Sequence, residues 1–110
     1  MSYEELGELI EEIGFPSAYY QFPKDTARPC PFICFYYPAS ADELADNENY
    51  VKVEQLVIEL YTNNKDFTAE KAVEDVLREH ELTFTRTESY LDDERMFMET
   101  YQTEVIINAD

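Results

Sequence analysis

The chain has 110 residues, 45% hydrophobic and 15% aromatic, enough to bury one core, so we expect a single domain over residues 1–110. Eight Lys and Arg against 25 Asp and Glu leave a formal net charge of −17. The basic residues are scattered singly, which argues against a basic surface for nucleic-acid phosphates or anionic membranes, and no apolar run approaches the roughly 20 residues of a membrane span.

The first predicted element is a helix over residues 2–13. Its start, Ser2-Tyr3-Glu4-Glu5, has the form of a capping box, in which the Ser and Glu side chains satisfy free backbone N–H groups. Gly14 follows at the position of a left-handed helix cap. The apolar residues recur at helical spacing and form one buried stripe: Leu6, Leu9, Ile10 and Ile13.

Three strands are predicted next. Residues 18–22 are short and aromatic, and residues 32–37 are apolar on both faces, as in a central strand. Residues 39–49 are polar and predict a long exposed loop. Residues 50–62 give the longest strand, in which apolar positions change phase near Glu54-Gln55 and so predict a β-bulge.

A second helix is predicted to be capped by Thr68 and to end near His80. Residues 82–90 and 96–107 then predict two strands joined by the acidic turn at residues 91–94. The order is α-β-β-β-α-β-β. It favours an α+β fold, a two-layer sandwich with two helices on one face of a mostly antiparallel sheet.

No catalytic or metal-binding pattern stands out. Cys30 and Cys34 in or near an extended strand are too far apart for a disulfide, and zinc would lack its four ligands, with His80 the only histidine. At the end of a helix, His80 is favoured as a partly charged imidazole rather than as a catalytic base. Two glycines cannot build a phosphate-binding loop. We therefore expect no enzyme activity, no catalytic residues, no cofactor and no bound metal.

A two-layer domain leaves the second face of its sheet open, and here tyrosine, phenylalanine and methionine fall on it as well as charges. Such a surface is typical of burial by another subunit. Four residues are expected at this subunit interface: Tyr36, Met96, Met98 and Tyr101. Four carboxylates in the predicted loop are expected to form an exposed acidic surface: Asp42, Glu43, Asp46 and Glu48.

The ordered pattern of the chain resembles that of small prophage head–tail morphogenesis proteins of Gram-positive bacteria. The likeness extends over nearly the whole chain. Among such proteins, the chain is similar to the tail-terminator or tail-completion group of siphophages. The likeness rests on four segments: Gly14-Phe15-Pro16, Pro29-Cys30-Pro31-Phe32-Ile33, residues 57–62, and Glu88-Ser89-Tyr90 through Glu94-Arg95-Met96-Phe97. Where that family has a small residue in the last hairpin turn, this chain has Asp92-Asp93-Glu94.

The resemblance implies an α+β subunit without catalytic residues that closes into a hexameric ring, caps the tail tube and joins it to the head. Its partners would be further copies of itself and other phage tail or head-completion proteins. It would assemble in the host cytoplasm and reside in the virion tail or at the head–tail junction. The acidic N-terminus, unlike a secretory signal, fits this location.

Two other functions stay open on the sequence. The same acidity suits a DNA mimic that binds and inhibits a host DNA-binding protein, if its carboxylates are spaced like phosphates along one face. An adaptor that binds a strand or helix of another phage protein is the second.

Overall fold

The computed structural model describes residues 1–22, 29–44 and 50–107. The two helices are α1 (Tyr3–Ile13) and α2 (Phe67–Glu79). The strands are β1 (Ser17–Tyr19), β2 (Phe32–Tyr36), β3 (Ser40–Leu44), β4 (Tyr50–Thr62), β5 (Phe84–Leu91) and β6 (Met96–Ile107). The predicted α+β class and the order of the predicted elements are confirmed, and β3 is an additional strand.

One sheet contains all six described strands. Its order is β1-β2-β4-β6-β5, with β3 pairing with the first half of β4 beyond the end of β2. Every pairing is antiparallel except the short one between β1 and β2. The long strands β4 and β6 therefore form the centre, and β5 is an edge strand of the described sheet.

Residues 40–44 were expected in a loop, and that expectation is wrong. They pair with β4 from Ser40 opposite Glu54 to Leu44 opposite Tyr50. Acidic side chains are tolerated in such a strand because it lies at an edge of the described sheet, where Ser40, Ala41 and Asp42 are exposed.

The β-bulge predicted in β4 is not there. β4 pairs with β6 in unbroken register from Lys52 to Thr62. The extra residue lies instead in the chain between β2 and β3, which runs alongside β4. Tyr36 faces Val57 and Ser40 faces Glu54, so a step of four residues in that chain matches a step of three residues in β4. At this change of apolar phase both sheet faces are buried, since Val53 is 9% exposed and its neighbour Glu54 is 5% exposed.

The capping residues of α1 are those predicted. Ser2 accepts from the backbone N–H of Glu5, the Glu5 side chain accepts from Ser2, and Gly14 has φ +93°. In α2 the cap is Asp66, not Thr68, and its carboxylate accepts from the backbone N–H of Ala69 at 2.9 Å. The helix accordingly begins two residues earlier than a Thr68 cap would allow.

The core lies between the helices and one face of the sheet. Both helices contribute their apolar stripes to it, and the strands contribute alternate residues. Its fully buried members include Leu6, Leu9, Ile33, Leu56, Ile58, Leu60, Val73, Leu77 and Tyr101. We call the sheet face that these helices cover the helix face, and the opposite one the open face.

Candidate interaction surface

Strand register decides which side chains reach the open face. On β4 the core residues are Leu56, Ile58 and Leu60, so the odd-numbered residues point the other way. On β6 the even-numbered residues do the same, since Tyr101 and its odd-numbered neighbours are buried. The central residues of the open face are Cys34, Tyr36, Val57, Glu59, Tyr61, Met96, Met98 and Thr100.

At one end of this face lies a groove of about 450 Å³, which we call the aromatic groove. Its lining residues are Tyr20, Gln21, Phe22, Phe32, Cys34, Tyr61, Leu91, Glu94 and Met96. Apart from the carboxylate of Glu94, the described lining carries no charged side chain. The groove is thus an apolar, aromatic depression on a strongly acidic protein.

Aromatic contacts hold the walls of the groove in place. Phe32 and Tyr61 stack with ring centroids 4.8 Å apart and planes inclined by 12°. Phe22 meets Phe32 edge to face, and the ring centroids of Tyr20 and Tyr36 lie 5.1 Å apart. Pairs of this kind stabilise a fixed arrangement beyond simple burial. The groove is therefore a preformed surface.

Tyr20 is displayed on this surface by an unusual backbone. Its φ is +69°, in the left-handed region that a bulky side chain rarely adopts. The conformation is held by the bond from its N–H to the carbonyl of Phe35, at 2.7 Å. The ring is nevertheless 65% exposed, so the strained residue presents an aromatic side chain to solvent.

A carboxylate lies at the centre of the open face. Glu59 accepts from the hydroxyl of Tyr61 at 2.8 Å and from that of Tyr36 at 3.2 Å. Burial raises the pKa of Tyr61, and its bond to Glu59 raises it further. Rings with satisfied polar tips suit a surface that can be buried against another protein without leaving polar groups unpaired.

Three of the four residues predicted for a subunit interface lie on this face. Tyr36, Met96 and Met98 are each partly exposed there. Tyr101 is not, because it points to the helix face and is 0% exposed. Its hydroxyl donates to Glu74 on α2 at 2.9 Å. Tyr101 belongs to the core and is removed from the predicted interface.

The predicted acidic surface is only partly described. Asp42 and Glu43 lie on β3, opposite Lys52 and Val51 respectively, rather than in a loop. The side chain of Asp42 is exposed. Asp46 and Glu48 lie outside the described residues.

A second group of charged residues was not predicted. On the helix face near the start of α2, five side chains meet, and we call them the charge cluster: Lys65, Glu70, Arg86, Glu88 and Glu99. Helical spacing alone places Glu70 on the solvent side of α2, but the Glu70 side chain is buried. The burial of Glu99 could have been predicted from the alternation of side chains along β6, which places Glu99 on the same face as Phe97 and Tyr101.

The residues considered for catalysis do not come together. His80 lies at the end of α2, where its Nε2 is 3.1 Å from the carboxylate of Glu12 on α1. Cys34 points to the open face, on the other side of the sheet, so the two cannot form a nucleophile–base pair. Cys30 and Cys34 are not joined by a disulfide.

Neither described helix combines the length and the apolar character needed to cross a membrane. No protein-family model matches the chain, and no curated protein matches it. Among solved structures, it is similar to a chain from the virion of a native gene transfer agent particle, with 16% sequence identity and a TM-score of 0.59. The alignment covers 94% of this chain and 90% of that chain. At this identity the likeness shows a shared fold across nearly the entire length of both chains.

Proposed function

We propose that this protein is a non-enzymatic structural subunit of a phage-like virion, a tail-terminator, tail-completion or head–tail joining protein that forms a ring at the end of the tail. The observation that carries the proposal is the open face, with its preformed aromatic groove. The fold shared with a chain of a gene transfer agent virion supports the class of particle.

A sheet face of this composition that neither described helix covers has a physical cost to the free subunit. Monomeric proteins rarely expose contiguous aromatic and methionine surface, and tyrosine and methionine are enriched at the centres of protein interfaces. Here Tyr36, Tyr61, Met96 and Met98 share one face beside the exposed ring of Tyr20. Burying that face against the next subunit explains why it is not covered by charged residues.

A ring requires that the face contact a different surface on the neighbouring copy, because only such a head-to-tail contact repeats around a closed circle. The described sheet offers an edge for this purpose in β5, whose backbone is paired on one side only, with β6. The open face and this edge point in different directions. They supply the two unlike surfaces that each subunit of a ring needs.

The acidity has a role in this proposal. A channel lined with carboxylates repels DNA electrostatically, so that DNA passes without adhering. We assign this lining to Asp42, Glu43, Asp46 and Glu48. Changing all four to Lys is expected to reduce phage titre while leaving ring assembly intact. An unchanged titre would contradict this assignment.

The direct test of the open face is the variant Met96→Asp, which adds a charge in the aromatic groove. It should prevent assembly while changing the free energy of unfolding by no more than about 1 kcal/mol, since Met96 is already partly exposed. The matched control is Thr68→Asp, which adds the same charge at an exposed site on α2. Normal assembly of Met96→Asp would contradict the proposal.

The acidic adaptor or DNA mimic predicts a different outcome. A mimic would recover a basic DNA-binding protein from host lysate at low salt. That capture would be lost when the four carboxylates of the acidic surface are changed to Lys, and would not be affected by Met96→Asp. Assembly lost through Met96→Asp together with no such capture separates the ring from the mimic.

A further inference from the structure

The charge cluster holds more negative than positive groups. The ammonium of Lys65 lies 2.7 Å from a carboxylate oxygen of Glu70 and 2.7 Å from one of Glu88. The guanidinium of Arg86 donates to Oε1 of Glu99, and its Nε lies 3.9 Å from Glu70. If every group is ionised, three carboxylates face two cations, which leaves one negative charge uncompensated.

One oxygen in the cluster marks where that imbalance falls. Glu99 is 1% exposed, and while its Oε1 holds Arg86, its Oε2 has no hydrogen-bond donor among the described residues. A buried carboxylate oxygen without a donor is costly, because it has lost its water and gained nothing. Glu88 lies directly across from Glu99 in the sheet, and their carboxyl groups are within hydrogen-bonding reach.

We infer that Glu99 is a neutral carboxylic acid at neutral pH, and that the hydroxyl at its Oε2 donates to the carboxylate of Glu88. One proton then resolves both observations. It gives the buried oxygen a hydrogen bond, and it leaves two carboxylates, Glu70 and Glu88, facing Lys65 and Arg86. The cluster becomes electrically balanced.

The surroundings shift the pKa values of Glu99 and Glu88 in opposite directions, as expected if the proton resides on Glu99. Burial raises the pKa of Glu99, and the neighbouring Glu88 raises it further, against the opposing effect of Arg86. The hydrogen bond from Lys65 lowers the pKa of Glu88, which is exposed. The charged groups around Glu99 come from three segments, namely Lys65 in the turn before α2, Glu70 on α2, and Arg86 and Glu88 on β5.

A metal ion is the competing occupant, since one oxygen from each of Glu70, Glu88 and Glu99 lies within 4.8 Å of the others. The position between these oxygens is already taken, because the ammonium of Lys65 is 2.7 Å from two of the carboxylates and 3.7 Å from Glu99. A divalent cation would have to displace it. A proton on Glu99 requires no displacement.

The proton links three elements, since the cluster joins the edge strand β5 to β6 and to the start of α2. The folded state favours the protonated form, so this contribution to stability is complete below the ordinary glutamate pKa and is lost as pH rises through the raised one. Above that pH the second charge appears beside Glu88. The edge strand β5 should then exchange its amide hydrogens faster.

Carboxyl ¹³C NMR of the wild-type chain tests the inference without a mutation. We expect the Glu99 resonance to keep the chemical shift of a protonated acid at neutral pH, after the exposed glutamates have ionised. Titration of Glu99 together with the exposed glutamates would overturn the inference. So would saturable binding of Ca²⁺ or Mg²⁺ that shifts the Glu70, Glu88 and Glu99 resonances together.

The variant Glu99→Gln provides the second test, because a glutamine amide copies the neutral acid in both shape and donor. Below the ordinary glutamate pKa its unfolding equilibrium constant should stay within about threefold of that of wild type. At neutral pH that constant should be lower than the wild-type one, because the variant lacks the proton that unfolding of the wild type releases. If Glu99 is ionised, loss of its buried charge beside Arg86 should raise that constant by about 100-fold or more. The control Glu104→Gln, exposed on the same strand, should keep the wild-type pH dependence.

Discussion

The hydroxyl of Tyr101, a residue fully enclosed in the core, donates a hydrogen bond to the carboxylate of Glu74 at 2.9 Å. The bond runs from the central strand β6 to α2 and fixes how the helix lies across the sheet. Phe84 meets the same ring edge to face, with centroids 5.6 Å apart. The polar tip of the largest core side chain is therefore satisfied at the edge of the core.

Removing this hydroxyl should weaken the fold but leave assembly unchanged. In Tyr101→Phe the carboxylate of Glu74 keeps Arg78 as a partner, so the free energy of unfolding should fall by about 1 kcal/mol, as measured by urea denaturation. The control is Tyr36→Phe, which removes a hydroxyl from the open face. A loss of assembly in Tyr101→Phe at unchanged stability would return Tyr101 to the interface.

The two glycines of α1 should respond to alanine with opposite signs. Gly7 lies inside the helix with nothing within 4 Å of an added Cβ, so Gly7→Ala should raise the free energy of unfolding by about 0.5–1 kcal/mol. Gly14 also has free space, but its φ is +93°, and Gly14→Ala should lower that free energy by about 1–2 kcal/mol. Thermal denaturation of both variants measures the pair. Equal shifts in the same direction would refute the helix-cap geometry.

Alkaline pH should unfold the protein through two tyrosines, the half-buried Tyr61 and the fully buried Tyr101. Burial raises the pKa of both Tyr61 and Tyr101, and their bonds to Glu59 and Glu74 raise it further. The unfolded chain therefore releases these protons at a lower pH than the folded one, and stability falls as pH rises above about 10. Ultraviolet absorbance should show two tyrosines that ionise only together with the loss of circular dichroism. Ionisation of both before that loss would disprove the assignment.

The elements that the sequence predicted well are those with strong local signals. The apolar stripe and both caps of α1 lie within thirteen consecutive residues, and β4 was bounded correctly at Tyr50 and Thr62. The start of α2 was predicted wrongly at Thr68, because Asp66 and Thr68 are both good capping residues. Only the bond from Ala69 to Asp66 decides between them.

Features that depend on distant partners could not be predicted in the same way. The strand β3 exists because β4 extends beyond the end of β2 and offers its free backbone groups there, a relationship invisible in the acidic composition of residues 40–44. The burial of Glu70 depends on Lys65, Arg86 and the strands beneath it. Helical spacing alone places such a glutamate in water.

The β6 residues predicted for a subunit interface lie on opposite faces of the sheet. Alternation along β6 correctly separates Met96 and Met98 from the buried Phe97 side, but the same alternation places Tyr101 in the core. Choosing a tyrosine because its residue type is common at interfaces ignored its phase. A period of two, applied consistently, was enough to exclude it.

The most direct test of the proposed ring is the mass of the protein by light scattering on a sizing column, at low and high salt. Self-repulsion at a net charge of −17 should keep the subunits apart at low salt, and screening should favour association at high salt. The account predicts a closed hexamer at high salt and high protein concentration, absent in Met96→Asp. A monomer under every condition, or a hexamer that Met96→Asp leaves intact, would contradict it.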